Sequence, residues 1–181
     1  MKDKLVFTPQ QEPLAKKVVQ TLIGKNQFPK VICIGGLSGC GKSEVAVKVR
    51  NELWYKKRYS KIVSQDAYYE PDHEEMREKT GFKSVGENEL QWTSIKNAIN
   101  NLVNSHVYDV VIFEGLYACS DKVDNAIKFF IDQDYHDSYY FRKLRGKENP
   151  DDWERQLVLN KERIIVEKTK DNADYILKYG E

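Results

Sequence analysis

The chain is poor in cysteine and histidine, carries no net charge of either sign to speak of, and lacks a long apolar run. Each shortage excludes something. Three cysteines, Cys33, Cys40 and Cys119, form an odd set without C-x-x-C spacing, so neither a disulfide framework nor a thiolate metal site is expected. They read as reduced thiols of a cytoplasmic protein. The three histidines, His73, His106 and His136, are scattered without metal-ligand spacing and read as surface residues. Lysine plus arginine number 29 against 28 acids, so bulk charge does not favour nucleic acid as the main partner. No stretch is long enough to span a bilayer, and Met1 to Leu5 begins no apolar signal region. Neither an internal repeat nor a low-complexity tract is present. With 181 residues, 40% hydrophobic and 31% charged, the chain is expected to form one globular domain.

What is present is concentrated at residues 36–43, Gly-Leu-Ser-Gly-Cys-Gly-Lys-Ser, a complete G-x-x-x-x-G-K-[ST] phosphate-binding loop. Val31 to Ile34 precede it as a buried strand. Val45, Val49 and Leu53 follow on one face of a helix expected over 42–57. Loop glycines let consecutive backbone N–H groups curl around a polyphosphate, and the helix N-terminus adds its positive end. Gly36, Leu37, Ser38, Gly39, Cys40, Gly41, Lys42, Ser43 and Glu44 are therefore the expected nucleotide-binding set. Lys42 would reach the β- and γ-phosphates, and the Ser43 hydroxyl would hold Mg²⁺. Cys40, near Lys42 and a helix N-terminus, is expected to contribute its backbone N–H to phosphate binding, with a lowered thiol pKa that would make it reactive if exposed.

Around this loop the apolar pattern predicts alternating strands and helices. An amphipathic helix occupies the first 30 residues, with Leu14, Val18, Leu22 and Ile23 as its buried stripe, Pro13 in its first turn and Gly24 at its end. That stripe suits either capping the domain or pairing with a second subunit. Further strands are expected at 61–64, 110–113, 128–131 and 175–177. Helices are expected around Trp92 to Val103, 135–145 and 151–170, and a polar loop with at most one short helix at 71–89. Nearly all-apolar strands separated by helices imply a parallel sheet covered on both faces.

In such a sheet ligands gather at the carboxyl ends of the strands. Two ends besides the loop carry acids: Asp66 after the second strand and Glu114 after the third. Two carboxylates beside Lys42 and Ser43 suit magnesium binding and proton abstraction from an acceptor hydroxyl. Tyr68 and Tyr69 could line an acceptor pocket, or one could pack on the sheet. Arg142, Lys143, Arg145 and Lys147 place four cations within six residues. Arg142 and Arg145 share a helix face, so both could point at one phosphate. Arg155 and Arg163, beside Glu154 and Glu162, read as mixed surface charge.

These segments resemble the uridine kinase/phosphoribulokinase family. The similar stretches are Gly35 to Ser43, Val63-Ser64-Gln65-Asp66-Ala67-Tyr68-Tyr69, Asp109 to Gly115, Arg142 to Arg145 and Ala173 to Ile176. The resemblance implies a single domain over 1–181 with a three-layer P-loop α/β fold. It would comprise a five-stranded parallel sheet, helices on both faces, an N-terminal helical extension over 1–30, and a short helical lid within 135–170. It implies an ATP- and Mg²⁺-dependent kinase, with Asp66 as base and magnesium neighbour, Glu114 as a second metal-side carboxylate, and a lid arginine over the transferred phosphate. The segment at 70–91 is shorter than that family's base-binding insert, and Arg145-Gly146 replaces its Arg-Asp, so fold and reaction type carry over better than the substrate. The expected acceptor is a nucleoside or a sugar-like metabolite, with a nucleotide as an alternative. A regulatory NTPase switch is the alternative, though no Asn-Lys-x-Asp and no Asp-x-x-Gly is present.

Overall fold

A computed structural model describes residues 5–24, 31–146, 149 and 152–180. Five strands form one sheet: β1 (Val31–Gly36), β2 (Ser60–Ser64), β3 (Val110–Glu114), β4 (Ile127–Asp132) and β5 (Tyr175–Lys178). Their order is β2-β3-β1-β4-β5 and every pairing is parallel. Six helices connect and cover them: α1 (Gln11–Ile23), α2 (Lys42–Tyr55), α3 (His73–Lys79), α4 (Trp92–Asn104), α5 (Tyr135–Arg145) and α6 (Trp153–Thr169).

The central strands are apolar along most of their length, with Glu114, Lys128 and Asp132 as the exceptions, because both of their faces are covered. Ile32 and Ile34 of β1, Val110 and Ile112 of β3, and Phe129 and Ile131 of β4 join one core with α1 and α2. Val31, Cys33, Val111, Phe113 and Phe130 point the other way, into a second core with Ile95 and Ile99 of α4 and Val166 of α6. The alternation of period two thus divides one run of apolar residues between two cores. The result is three layers, helix–sheet–helix, as expected.

α1 packs its stripe into the first core. Leu14, Ala15, Val18, Val19 and Leu22 are buried, whereas Ile23, expected in the stripe, is 46% exposed. Ile23 lies on the last residue of the helix, where the row begun by Ala15 and Val19 runs off the end of α2's cover. The polar segment after β2 contains α3 and a short 3₁₀ turn over Glu87–Glu89. Asp174 explains one element of the family-like pattern: its carboxylate accepts the Lys128 N–H at 2.8 Å, and its own N–H donates to the Lys128 carbonyl, which sets the register of β4 and β5. The expected helix start at 151, Lys147 and Pro150 lie outside the described residues, as do 1–4 and 25–30 of the N-terminal extension.

Candidate active site

The sheet order puts β1 between β3 and β4, so the loop leaving β1 opens at the point where the strand order reverses, the place where such sheets bind ligands. Gly39 and Gly41 have φ of +84° and +85°, a left-handed backbone that glycine reaches without steric cost. Gly41 is the N-cap of α2, and the loop wraps that helix N-terminus.

A cleft of ≈ 380 Å³ lies over this loop. Ser38, Gly39, Lys42 and Ser43 form its floor, Asp66 and Glu114 stand at the ends of β2 and β3, and Arg142 and Arg145 reach in from α5. The Lys42 ammonium donates to the Leu37 carbonyl at 2.7 Å, spanning the loop as a β/γ-phosphate ligand would require. The Ser43 hydroxyl donates to Glu114 Oε2 at 3.0 Å. Asp66 is exposed on a 3₁₀ turn over Gln65–Tyr68.

Glu114 is buried, and that burial raises its carboxyl pKa. The Ser64 and Ser43 hydroxyls and the Lys42 charge pull it back down, and Asp66 pushes it up. A group whose pKa is raised on folding costs stability where it is ionised. The cost is full above the raised value and vanishes below the ordinary carboxylate range. Glu114→Gln in the ligand-free protein is therefore expected to raise Tm by about 2–4 °C for each ~1 kcal/mol regained at pH 8. That advantage should fade as the pH falls towards about 4. Thermal melts across this range check it, and an equal or lower Tm at pH 8 would show that Glu114 is fully compensated by its neighbours.

Three loop side chains face away from the cleft. Leu37 and Cys40 are buried in the two cores. The Glu44 carboxylate accepts two bonds from Arg145 Nη2, at 2.6 and 2.8 Å, and one from the Val6 N–H at 3.0 Å. The expectation of a lowered Cys40 thiol pKa is overturned. Its thiol is fully buried, and desolvation raises its pKa more than Lys42 lowers it. The helix N-terminus acts through the Cys40 backbone, and the sulfur has no access to a reagent in the folded state.

The lid arginines diverge. Arg142 is buried, donates to the Ser38 carbonyl at 2.8 Å, and lies over the Tyr135 ring at 5.3 Å. Arg145, one turn on, is the residue held by Glu44. Both tyrosines pack against the second core. Tyr69 also lines the cleft, with its ring stacked on His73 at 4.8 Å. Tyr68 does not line it, and its carbonyl accepts from the Gln91 N–H.

Sequence reasoning missed several participants. Arg155 and Glu162, read as surface charge, line the cleft, and so does His73. Arg77 bonds Glu89 at 2.6 and 2.8 Å and pairs with Glu162 at 3.5 Å, which ties α3 to α6 across the cleft wall. Gln65 is fully buried: its side-chain oxygen accepts the Tyr117 N–H at 2.8 Å and its amide donates to the Tyr69 hydroxyl at 3.2 Å. It thereby fixes the Asp66 turn against the Glu114-Gly115 turn. A second cavity of ≈ 600 Å³ behind α3 shares His73 with the cleft but does not reach the phosphate loop.

Tyr179, just past β5, is the other omission. Burial raises its phenol pKa, so the hydroxyl stays protonated and donates to the Cys40 carbonyl at 2.8 Å. In a trans peptide the C=O and the following N–H point in opposite directions. Anchoring the Cys40 carbonyl on this side therefore aims the Gly41 N–H at the phosphate position. Tyr179→Phe is expected to weaken ATP binding about 5- to 10-fold, the worth of roughly one hydrogen bond. Calorimetric titration with ATP·Mg²⁺ checks this; unaltered affinity would mean the loop holds its shape without the bond.

No protein-family model matches this chain, and no curated protein matches it in sequence. Solved structures do match. A candidate fructose transport system kinase from Silicibacter sp. TM1040 superposes with a TM-score of 0.62 at 13% identity, covering 95% of this chain and 100% of the other. D-glycerate 3-kinase from Cryptococcus neoformans gives 0.62 at 12% identity, covering 95% and 96%. The fold is that of the P-loop kinases. A candidate uridine kinase from Bacillus stearothermophilus adds a TM-score of 0.53 at 12% identity, covering 93% and 97%. These P-loop kinases share the architecture with this chain at an identity that carries the fold alone. No helix among the described residues is long and apolar enough to cross a membrane.

Proposed function

We propose that this chain is an ATP-dependent kinase that transfers the γ-phosphoryl group to a hydroxyl of a small acceptor, a nucleoside or sugar-like metabolite. The observation that carries this reading is the convergence on one cleft of Lys42, Ser43, Asp66, Glu114 and Arg142 from four separate elements. Lys42 leaves the Leu37 carbonyl for the β- and γ-phosphates, and the Ser38–Ser43 backbone binds phosphate oxygens. Asp66, solvated at the mouth of the cleft, takes the acceptor proton as the acceptor oxygen bonds to the γ-phosphorus and the bond to the bridging oxygen breaks. Arg142 offsets charge on the transferred group, and Tyr69 and His73 form the acceptor wall. Arg145, tied to Glu44, holds α5 in place.

The residues present fit Mg²⁺. Ser43, Glu114 and Asp66 offer hard oxygen donors, and the buried Glu114 carboxylate is under-compensated by its own neighbours. No group of three or more His, Cys, Asp or Glu side chains that could hold a metal alone occurs among the described residues. The ion would thus be shared with the nucleotide, as Mg²⁺ commonly is. Bound there, it neutralises charge on the β- and γ-oxygens.

A coupled ADP-release assay with ATP·Mg²⁺ against nucleosides, nucleoside monophosphates, sugars, sugar phosphates and hydroxy acids tests the proposal. One class is expected to stimulate ADP release strongly. Slow hydrolysis independent of every acceptor would instead favour a regulatory NTPase.

A further inference from the structure

α2 begins at the phosphate loop and ends at Tyr55, about 20 Å away at 1.5 Å per residue. The surface at that far end differs from the rest of the molecule. Trp54, Tyr55 and Tyr59 are 62%, 81% and 55% exposed, and Trp54 and Tyr59 meet edge to face at 5.3 Å. Arg50, Lys56 and Lys57 stand next to them in the chain and are all exposed. Arg58 joins the turn but is paired with Asp109 at 3.1 Å. Residues 50–61 contain five cations and one acid, Glu52, in a chain whose total is +1, so the remainder of the chain is net acidic. The near-neutral total conceals one basic face.

The backbone presents these side chains deliberately. α2 ends in paired bonds, from the Lys57 N–H to the Trp54 carbonyl and from the Arg58 N–H to the Leu53 carbonyl, both 2.9 Å. That closure requires a left-handed residue, usually glycine, and here it is Lys57 at φ +59°. The turn projects Lys56 and Lys57 beside the aromatic pair, and Arg50 stands one helical turn before Trp54 on the same face.

We infer that this face binds single-stranded nucleic acid, with bases stacking on Trp54, Tyr55 and Tyr59 and phosphates meeting Arg50, Lys56 and Lys57. Exposed aromatic rings interleaved with cations suit that ligand, because every base offers a π-face and every nucleotide a charge. A membrane surface fits less well. The segment offers no exposed aliphatic side chain to enter hydrocarbon: Leu53 and Val63 are buried, and Ile62 packs against the first core.

Fluorescence anisotropy of a labelled oligonucleotide of about 12 nucleotides tests the inference, with the full chain and no ATP present. Binding is expected with a log–log salt slope of about −2 for three cations. Trp54→Ala should weaken it about tenfold, and the double variant Lys56→Glu, Lys57→Glu should both weaken it and flatten the slope. The same variants should keep the wild-type Tm and ATP affinity, since they lie far from the cleft. Absence of binding at low salt, or unchanged binding by the variants, would overturn the inference. So would binding only to phosphatidylserine vesicles, or a dimer in sedimentation that Trp54→Ala dissolves. None of these outcomes bears on whether the cleft is a kinase site.

Discussion

Asp66→Asn is expected to lower phosphoryl transfer by about 10²–10⁴-fold, far more than it weakens ATP binding, the usual scale for removing a positioned general base. Three features set that expectation. Asp66 is exposed at the edge of the cleft, so it is open to an acceptor. Its turn is held against the Glu114-Gly115 turn by Gln65, buried and bonded on both sides, so the backbone that carries the carboxylate has a fixed position. The nucleotide side of the cleft is built mainly from other residues, Ser38 to Ser43, and the substitution leaves Ser43 and Glu114 in place beside it. Single-turnover kinetics with saturating ATP would separate the loss of chemistry from any loss of binding. A variant with wild-type kcat would remove Asp66 from the reaction.

The second large effect falls on the protein rather than on the chemistry. Gly39→Ala is expected to lower Tm by roughly 5–15 °C and to reduce ATP affinity by at least about tenfold. At φ +84° an L-residue pays about 1–2 kcal/mol for its backbone. The added Cβ would also overlap the Ser138 carbonyl oxygen and lie 2.8 Å from Arg142 Cγ. Both atoms belong to α5, so the loop and α5 must part, at a further cost of about 1–3 kcal/mol. Arg142 would then leave the Ser38 carbonyl, and α5 would lose its seat on the phosphate loop. Gly146→Ala is the control: φ is +64° there, but nothing lies within 4 Å of the new Cβ, so only the backbone cost applies. Equal Tm losses in the two variants would mean that α5 does not rest on Gly39.

The contrast between those glycines illustrates what could be read from the sequence. Strands β1, β3 and β4 were legible because both of their faces are buried, which leaves almost uninterrupted apolar runs at Val31, Val110 and Phe129. The phosphate loop was legible because its spacing is fixed by the geometry of wrapping a polyphosphate. Asp66 and Glu114 followed from their places at strand ends. Periodicity sets which residues share a helix face, but it does not set what that face meets. Arg142 and Arg145 are three apart, yet one lies on Ser38 and the other on Glu44. Ile23 fits the stripe of α1 but falls beyond the cover available at the helix end. Cys40 carries every local sign of a reactive thiol, and only the fold shows it facing a core. Tyr179 is 139 residues from its partner Cys40, and no local pattern marks such a contact.

The central claim, that this cleft moves a phosphoryl group from ATP to a hydroxyl, is tested most directly by following the γ-phosphorus itself. ATP labelled in that phosphate, incubated with the protein, Mg²⁺ and the acceptor class that stimulates ADP release, should yield label in an organic phosphate ester. The yield should match the ADP formed and should be lost in Asp66→Asn. Label recovered only as inorganic phosphate, at the same rate with and without acceptor, would contradict the account.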